Sequence, residues 1–161
     1  MLPDYEIVLG RGIGAILLGI PKNELADILG PPDDIEYPED PEKTDWEIYV
    51  YNFINCSFSF NPDNDDRLAE IVIENGYFHI GKKIRVGIGK EDLLKFGSAL
   101  KFGESVIEDS RNEEYPTREL ISYDHAGLHL WLDDGRISAI QISPLLNKEN
   151  SIIWPEEDAG I

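Results

Sequence analysis

The fold of this chain is decided by one stretch of twelve residues, which reads Gly19-Ile20-Pro21-Lys22-Asn23-Glu24-Leu25-Ala26-Asp27-Ile28-Leu29-Gly30. Pro21 lacks a backbone N–H, which costs nothing in the first turn of a helix. Leu25, Ile28 and Leu29 recur at helical spacing and form one apolar stripe. Gly30 favours a left-handed cap, and the two prolines after it stop the helix. The stretch therefore predicts one short helix with defined ends.

A similar stretch returns in the second half of the chain and reads Gly87-Ile88-Gly89-Lys90-Glu91-Asp92-Leu93-Leu94-Lys95-Phe96-Gly97. Gly19 matches Gly87 at a shift of 68 residues, and Lys22 matches Lys90 at the same shift. Further along, Ser57-Phe58-Ser59-Phe60 corresponds to His129-Leu130-Trp131-Leu132. Two regions that match at a nearly constant shift predict an internal duplication.

Runs of apolar and β-branched residues that are typical of strands follow each predicted helix. These strands are expected over 46–54, 56–60 and 68–73 in the first half, and over 118–123, 127–132 and 136–142 in the second. Two acidic segments that contain proline, 31–45 and 104–116, are expected to be loops. Asp133-Asp134-Gly135-Arg136 is typical of a hairpin turn, because glycine adopts a positive φ at no steric cost.

The predicted fold class is therefore α+β, built from two tandem repeats. Each repeat is expected to hold a short helical segment followed by an antiparallel meander of three to four strands. The repeats are predicted to span residues 5–75 and 76–146. Residues 147–161 are expected to form a polar tail, in which Ile152-Ile153-Trp154 is a candidate anchor.

The order of helix and meander resembles a known plan. The helix ends in Glu24-Leu25-x-x-Ile28-Leu29-Gly30-x-Pro32 and precedes an antiparallel meander. This combination is similar to the helix–meander unit of the β-lactamase-inhibitor-protein-like fold and of the outer-membrane assembly lipoproteins of the SmpA/OmlA type. The resemblance covers most of residues 12–142 and implies two units whose sheets form a concave protein-binding face. Tandem units of this kind are also similar to some cytosolic immunity proteins that neutralise bacterial toxins.

The charge of the chain is strongly acidic. Among its 161 residues, 32 acids against 14 bases give a net charge of −18. Such a field repels nucleic acid and anionic lipid and favours a basic protein partner. The acids cluster in a stretch where Lys43 is the one opposing base, and this stretch contains Asp33, Asp34, Glu36, Glu39, Asp40, Glu42, Asp45 and Glu47. The alternative is that the acidity merely keeps the protein in solution.

Three features of the sequence indicate where in the cell the protein is expected and whether it contacts a membrane. No run of about 18 apolar residues is present, so no membrane contact is predicted. The first residues, Met1-Leu2-Pro3-Asp4-Tyr5-Glu6, do not have the pattern of a signal peptide. Cys56 is the only cysteine, which agrees with a reducing compartment. These features predict a cytoplasmic location.

No motif for catalysis or metal binding is complete. Gly87-Ile88-Gly89-Lys90-Glu91 lacks the first glycine and the Ser or Thr of a phosphate-binding loop. His125 and His129 lie in a predicted turn and a predicted strand, with no third zinc ligand nearby. Asn61-Pro62-Asp63-Asn64-Asp65 lacks the glycine and the final glutamate of a calcium loop. The sequence therefore predicts no enzyme, no cofactor and no metal site.

A protein-binding surface is the remaining candidate site. In the strand over 46–54 the odd positions form an aromatic and partly acidic face. In the strand over 127–132, His129 and Trp131 lie opposite an all-leucine face. Aromatic residues on an exposed sheet face are typical interface anchors. The candidate partner-binding residues are Asp33, Asp34, Glu39, Asp40, Glu42, Glu47, Tyr49, Tyr51, His129 and Trp131. The alternative is that the N-terminal strand or the tail covers this face.

Three functions remain open at this point. The leading hypothesis is a cytosolic immunity protein that occludes the active site of a basic toxin nuclease, with acidic loops that steer the partner and mimic phosphates. The second is a structural or regulatory module that pairs with another protein and blocks no active site. The third is an enzyme with carboxylate chemistry, which requires a deep cleft with two close acids of perturbed pKa.

Overall fold

Two helices and thirteen strands lie in residues 5–155, the part of the chain that the computed structural model describes. Helix α1 spans Lys22–Leu29 and helix α2 spans Lys90–Ala99. The strands are β1 (Ile7–Val8), β2 (Gly12–Ile13), β3 (Ile16–Leu17), β4 (Asp34–Glu36), β5 (Glu47–Tyr51), β6 (Cys56–Asn61), β7 (Arg67–Ile73), β8 (Val106–Asp109), β9 (Glu119–Tyr123), β10 (Leu128–Asp133), β11 (Arg136–Ile142), β12 (Leu145–Leu146) and β13 (Ile152–Ile153). None of the described helices is long and apolar enough to cross a membrane.

The ends of α1 agree with the sequence prediction. Pro21 precedes the first turn of α1, and Gly30 ends the helix with a φ of 83° that only glycine adopts without strain. The predicted hairpin turn is confirmed as well. Asp134 and Gly135 have φ values of 53° and 77°, which is the pair of positive angles that a tight two-residue hairpin requires.

The main sheet has eight strands in the order β4-β5-β6-β7-β11-β10-β9-β8, and every neighbouring pair is antiparallel. Each helix is followed along the chain by four of these strands. The two sets of four meet at the centre of the sheet, where β7 pairs with β11. The fold is therefore α+β with mostly antiparallel pairing, as the sequence predicts.

The strand pairing follows the same register in the two halves. The β6–β7 pair and the β10–β11 pair each contain six partner pairs and one irregularity, between the fourth and the fifth pair. The extra residue at this bulge is Ala69 in β7 and Ser138 in β11. The segment before each helix also docks in the same way. The Gly19 N–H donates to the Leu68 carbonyl at 2.8 Å, and the Gly87 N–H donates to the Ile137 carbonyl at 2.8 Å.

The hydrophobic core lies on one side of the main sheet. It is formed by alternate residues of the strands, by the apolar face of each helix and by β1–β3, and it includes Ile7, Ile13, Leu25, Phe58, Ile71, Leu93, Leu130 and Ile140. Because side chains alternate along a strand, the residues between these positions lie on the other side of the sheet. We call that other side the open face. Both helices pack on the core side.

Several elements differ from the sequence prediction. The segments predicted as loops contain strands β4 and β8, which form the two edges of the main sheet. Strand β5 ends at Tyr51, although the sequence predicted a strand to residue 54. The predicted tail contains β13, which pairs with β12, and its Trp154 is only 7% exposed. Within the candidate anchor Trp154 is thus buried and Ile152 and Ile153 are half-buried, while residues 156–161 of the predicted tail lie outside the described residues.

Candidate functional site

The open face is crossed by one row of side chains that runs through all eight strands. From one edge to the other, the row contains Asp34, Val50, Ser57, Val72, Gln141, His129, Ser122 and Val106. Most of its members are half-buried or exposed. The face is therefore a broad surface of mixed polar and apolar groups.

Trp131 is the largest side chain on the second half of the open face, and it is held in a stack. The Arg118 guanidinium lies 3.5 Å from the centre of the Tyr115 ring and 5.4 Å from that of Trp131. Arg118 also donates to both carboxylate oxygens of Asp133, at 3.0 and 2.8 Å. This charge-assisted pair lowers the pKa of Asp133 below its usual range and fixes the guanidinium between the rings. The Trp131 ring is thereby presented in one orientation.

A related arrangement lies on the first half of the open face. The Lys43 Nζ lies 4.8 Å from the centre of the Trp46 ring and 3.0 Å from the Glu70 carboxylate. Lys43 belongs to the turn before β5, as Tyr115 belongs to the loop before β9. In the first half the loop supplies the cation and the residue just before the strand supplies the ring, whereas in the second half the loop supplies the ring and the residue just before the strand supplies the cation. Both loops fold onto the rim of the open face.

A cleft of about 360 Å³ opens on this face where the two halves meet. Its walls include Trp46 and Glu70 from the first half and Asp124 and His129 from the second. Pro144, Leu146 and Ile152 add apolar surface from the C-terminal hairpin. The His129 Nδ1 is 2.8 Å from the Ser122 hydroxyl, and this contact orients the imidazole ring.

The structure separates five of the predicted partner-binding residues, those of the two strands, into two groups. His129 and Trp131 lie half-buried on the open face. Glu47, Tyr49 and Tyr51 lie on the core side, so the prediction that these five residues form one surface is wrong in its geometry. The reason is the position of α1, which packs on the odd residues of β5, whereas the even residues of β10 face the core.

The second group, formed by Glu47, Tyr49 and Tyr51, makes its contacts on the core side of β5. The Tyr51 hydroxyl donates to the Gly30 carbonyl at 2.9 Å, and the side chain is 1% exposed. Burial raises the pKa of Tyr51 to about 12. Tyr49 packs edge-on against Phe60 with ring centres 5.1 Å apart. Glu47 accepts a hydrogen bond from Lys22 in α1, and this contact lowers the pKa of its carboxyl.

The predicted acidic loop residues are all exposed, and they comprise Asp33, Asp34, Glu39, Asp40 and Glu42. Two of these carboxylates also stabilise the loop itself. Asp40 accepts from the Glu42 N–H at 2.9 Å and caps the short turn before β5. Asp33 accepts from the Asn52 N–H at 2.7 Å. The loop is therefore held in a defined conformation, with its charges directed to solvent.

Four residues of the open face were not predicted from the sequence: Trp46, Glu70, Tyr115 and Arg118. Trp46 belongs to the even positions of its strand, which sequence alternation assigned to an apolar face. Tyr115 and Arg118 lie in and beside a segment predicted to be a loop. A signal was present in the aromatic and basic residues at matching places before β5 and β9, but sequence alternation alone does not show which strand face is buried.

Metal-ligating side chains are not gathered into a site among residues 5–155. No cluster of three or more His, Cys, Asp and Glu side chains in this range is placed to hold a metal ion. Cys56 is buried, and burial raises the pKa of its thiol to about 12. The thiol is therefore protonated at neutral pH.

Comparisons with known proteins identify the fold alone. No family model matches the chain, and no curated protein matches it. A DUF4309 family protein (YjgB) from Bacillus subtilis subsp. subtilis str. 168 has a TM-score of 0.51 at 12% identity, over 84% of this chain and 88% of that chain. An extracellular protein containing a SCP domain from Bacillus anthracis str. Ames has a TM-score of 0.49 at 10% identity, over 79% of this chain. This chain covers only 44% of that protein.

Proposed function

We propose that this chain is a non-enzymatic binding protein that holds a basic partner protein on its open face. The observation that carries the proposal is the pair of tryptophans, Trp46 and Trp131, on a sheet face that has neither helix packed on it. Half-exposed aromatic side chains with fixed orientation are the groups that most often anchor a protein interface. Acidic loops at both edges of the sheet supply charge complementarity to a basic partner.

The two-repeat organisation, with repeats at 5–75 and 76–146, is part of this proposal. The matching registers and bulges support it, and so does an ion pair that recurs in each half. Lys22 pairs with Glu47, and Lys90 pairs with Glu119 at 2.8 Å, each joining a helix to the strand beside it. A duplicated unit gives two sets of four strands, and their union gives one surface broad enough for a protein partner.

The proposed partner is a toxin nuclease, and the proposed mechanism is occlusion of its active site in the cytoplasm. A nuclease that binds phosphates presents a basic surface. The exposed carboxylates of Asp34, Glu39 and Glu42 carry the charge of phosphates without the scissile bond. The net charge of −18 would accelerate the encounter of the chain with such a surface. Binding would then remove water from the aromatic side chains of the open face.

The test begins with the reading frames beside the gene, in search of a large secreted protein with a basic C-terminal domain. The activity of that domain on DNA and RNA is then measured with and without this chain. We expect stoichiometric inhibition and an association rate that falls at least about tenfold between low and high salt. Inhibition with an association rate independent of salt would refute the steering mechanism.

A structural or regulatory module without a toxin partner is the second candidate function. The open face favours this candidate equally, because a binding surface implies a partner but does not imply that the active site of that partner is blocked. Binding of a basic protein whose catalytic activity is unchanged in the complex would support this candidate over the inhibitor. Failure of any basic protein to bind the open face would contradict both.

A further inference from the structure

We propose that the cleft between the two halves of the open face receives a single arginine side chain of the partner. The inference deepens the proposed function and rests on it, because it names the group through which a basic partner is recognised. The cleft volume of about 360 Å³ lies near the lower end of the range for small-ligand pockets, about 300–1,000 Å³, and so suits one long side chain.

The chain already holds a cation at the edge of this cleft. The ammonium of Lys43 lies 4.8 Å from the centre of the Trp46 ring and 3.0 Å from the Glu70 carboxylate. Both the ring and the carboxylate line the cleft. Their geometry thus combines the two contacts that recognise a cation best, an aromatic face and a partly buried carboxylate.

The cleft lacks any positive group of its own among its lining residues within 5–155, and it carries two negative ones, Glu70 and Asp124. The Glu70 side chain is only 19% exposed, so its charge is less screened than that of a loop carboxylate. Apolar surface from Pro144, Leu146 and Ile152 matches the methylene stem of a long basic side chain.

A planar guanidinium suits this cleft better than an ammonium. Its flat face stacks on a tryptophan ring, and the N–H groups along its edge donate two hydrogen bonds to a carboxylate. The second half of the open face contains such a stack in Arg118, which lies between Tyr115 and Trp131 and pairs with Asp133. Lys43 is then an internal competitor, which an incoming arginine displaces from Glu70.

The test uses the purified chain and a small probe, N-acetyl-arginine N-methylamide, with the neutral citrulline analogue as its isosteric control. The indole N–H signals of Trp46 and Trp154 in NMR spectra report binding at the cleft and away from it. We expect saturable shifts of the Trp46 signal with the arginine probe alone. Glu70→Gln is expected to weaken this binding about tenfold, and Lys43→Gln to tighten it about threefold.

Two variants on α2 serve as matched controls, since they change the net charge equally but lie on the core side of the sheet. Glu91→Gln and Lys95→Gln should each leave the affinity for the probe within about twofold of the parent value. Equal binding of citrulline and arginine overturns the inference. Equal weakening by Glu70→Gln and Glu91→Gln, or weaker binding after Lys43→Gln, also overturns it.

The inference and the proposed function fail in different ways. If a basic partner binds the parent chain and Glu70→Gln equally well, the cleft is not the recognition site, and the proposed function stands. If the arginine probe binds as expected and no basic protein binds the open face, the cleft is supported as a guanidinium site, and the proposed partner is wrong.

Discussion

At the scale of single residues, two tyrosines show how each helix is fixed to the sheet. Tyr51 donates to the Gly30 carbonyl at the end of α1. Tyr123, at the matching end of β9, lies under α2 against Gly97 and packs edge-on against Phe102, with ring centres 5.3 Å apart. The glycine within α2 is thus explained by packing, because a larger residue there would meet the tyrosine ring.

The substitution Gly97→Ala tests this packing. A Cβ at this position would lie 2.5 Å from the Tyr123 hydroxyl oxygen and 3.0 Å from Cζ. Alanine gains about 1 kcal/mol in helix propensity, but overpacking costs about 1–3 kcal/mol, so we expect a net loss of about 1 kcal/mol in the free energy of unfolding. Urea denaturation measures it. The double variant with Tyr123→Phe should recover part of the loss, and a more stable Gly97→Ala single variant would contradict the account.

The buried thiol of Cys56 is expected to make the free energy of unfolding depend on pH in the alkaline range. Burial raises its pKa from 9.0 to about 12 in the folded chain. Above pH 9 the unfolded chain therefore loses a proton that the folded chain keeps, so the free energy of unfolding should fall by up to about 1.4 kcal/mol per pH unit. Urea denaturation under reducing conditions, between about pH 8 and pH 10, measures the slope. Cys56→Ala should be less stable at the lower pH but show a flatter slope; parallel slopes would show that the thiol has no such role.

At the scale of elements, local signals were sufficient for the helices and the central strands. Gly30 and Asp134-Gly135 fix backbone conformation whatever surrounds them, so the ends of α1 and the last hairpin follow from sequence. The edge strands β4 and β8 did not follow, because all of their residues are exposed and neither has an apolar alternation. They are strands because β5 and β9 offer them a backbone partner.

The candidate site was predictable only in part, for a related reason. The alternation of β10 has leucine at every second position, which identified Trp131 and His129 as lying on the open face. In β5 one set of alternate residues is aliphatic, and the other holds Tyr49 and Tyr51 beside Glu47, so each set offers apolar surface. The face that becomes buried is then decided by α1, whose contact with Tyr51 is a tertiary interaction that the sequence of the strand does not contain.

Two tryptophans are expected to have different roles. Trp154, beside the C-terminal hairpin β12–β13, should contribute to stability, and Trp131 should contribute to binding. Trp154 is buried against Gly19, and the Arg67 guanidinium lies 4.1 Å from its ring centre. Trp154→Ala should therefore lower the free energy of unfolding by about 3 kcal/mol, as expected for a buried aromatic side chain. Trp131→Ala should cost about 1 kcal/mol or less, because its ring is half-buried on the open face.

Denaturation and partner binding, measured on both variants, test this division. Trp131→Ala should weaken binding of the basic partner by at least about tenfold, since it removes an interface anchor. Trp154→Ala should leave the affinity of the folded protein within about threefold of the parent value. The reverse assignment, with binding lost only in Trp154→Ala, would place the interface away from the open face.

At the scale of the whole molecule, the two halves share one sheet and one core. Three residue pairs between β7 and β11 join them, including Ile73 with Ile140 and Ile71 with Ile142. These isoleucines are fully buried and contribute to a single hydrophobic cluster that extends through both halves. Separation of the halves would therefore expose a continuous apolar surface.

This shared core predicts cooperative unfolding. We expect one urea transition, with coincident midpoints by far-ultraviolet circular dichroism and by tryptophan fluorescence. A substitution at the junction, Ile140→Ala, should lower the common midpoint by an amount that corresponds to about 2–4 kcal/mol and keep the two probes coincident. Two separate transitions would mean that each half is an independent folding unit.

The central claim is that the partner binds on the open face, and hydroxyl-radical footprinting tests it most directly because it reports on side chains. The chain is oxidised alone and in complex with the basic nuclease domain that the proposal places in the neighbouring reading frame. Trp46 and Trp131 on the open face should both lose reactivity in the complex. Phe96, half-buried on α2, should keep its reactivity. Protection of Phe96 with both tryptophans unchanged would contradict the account.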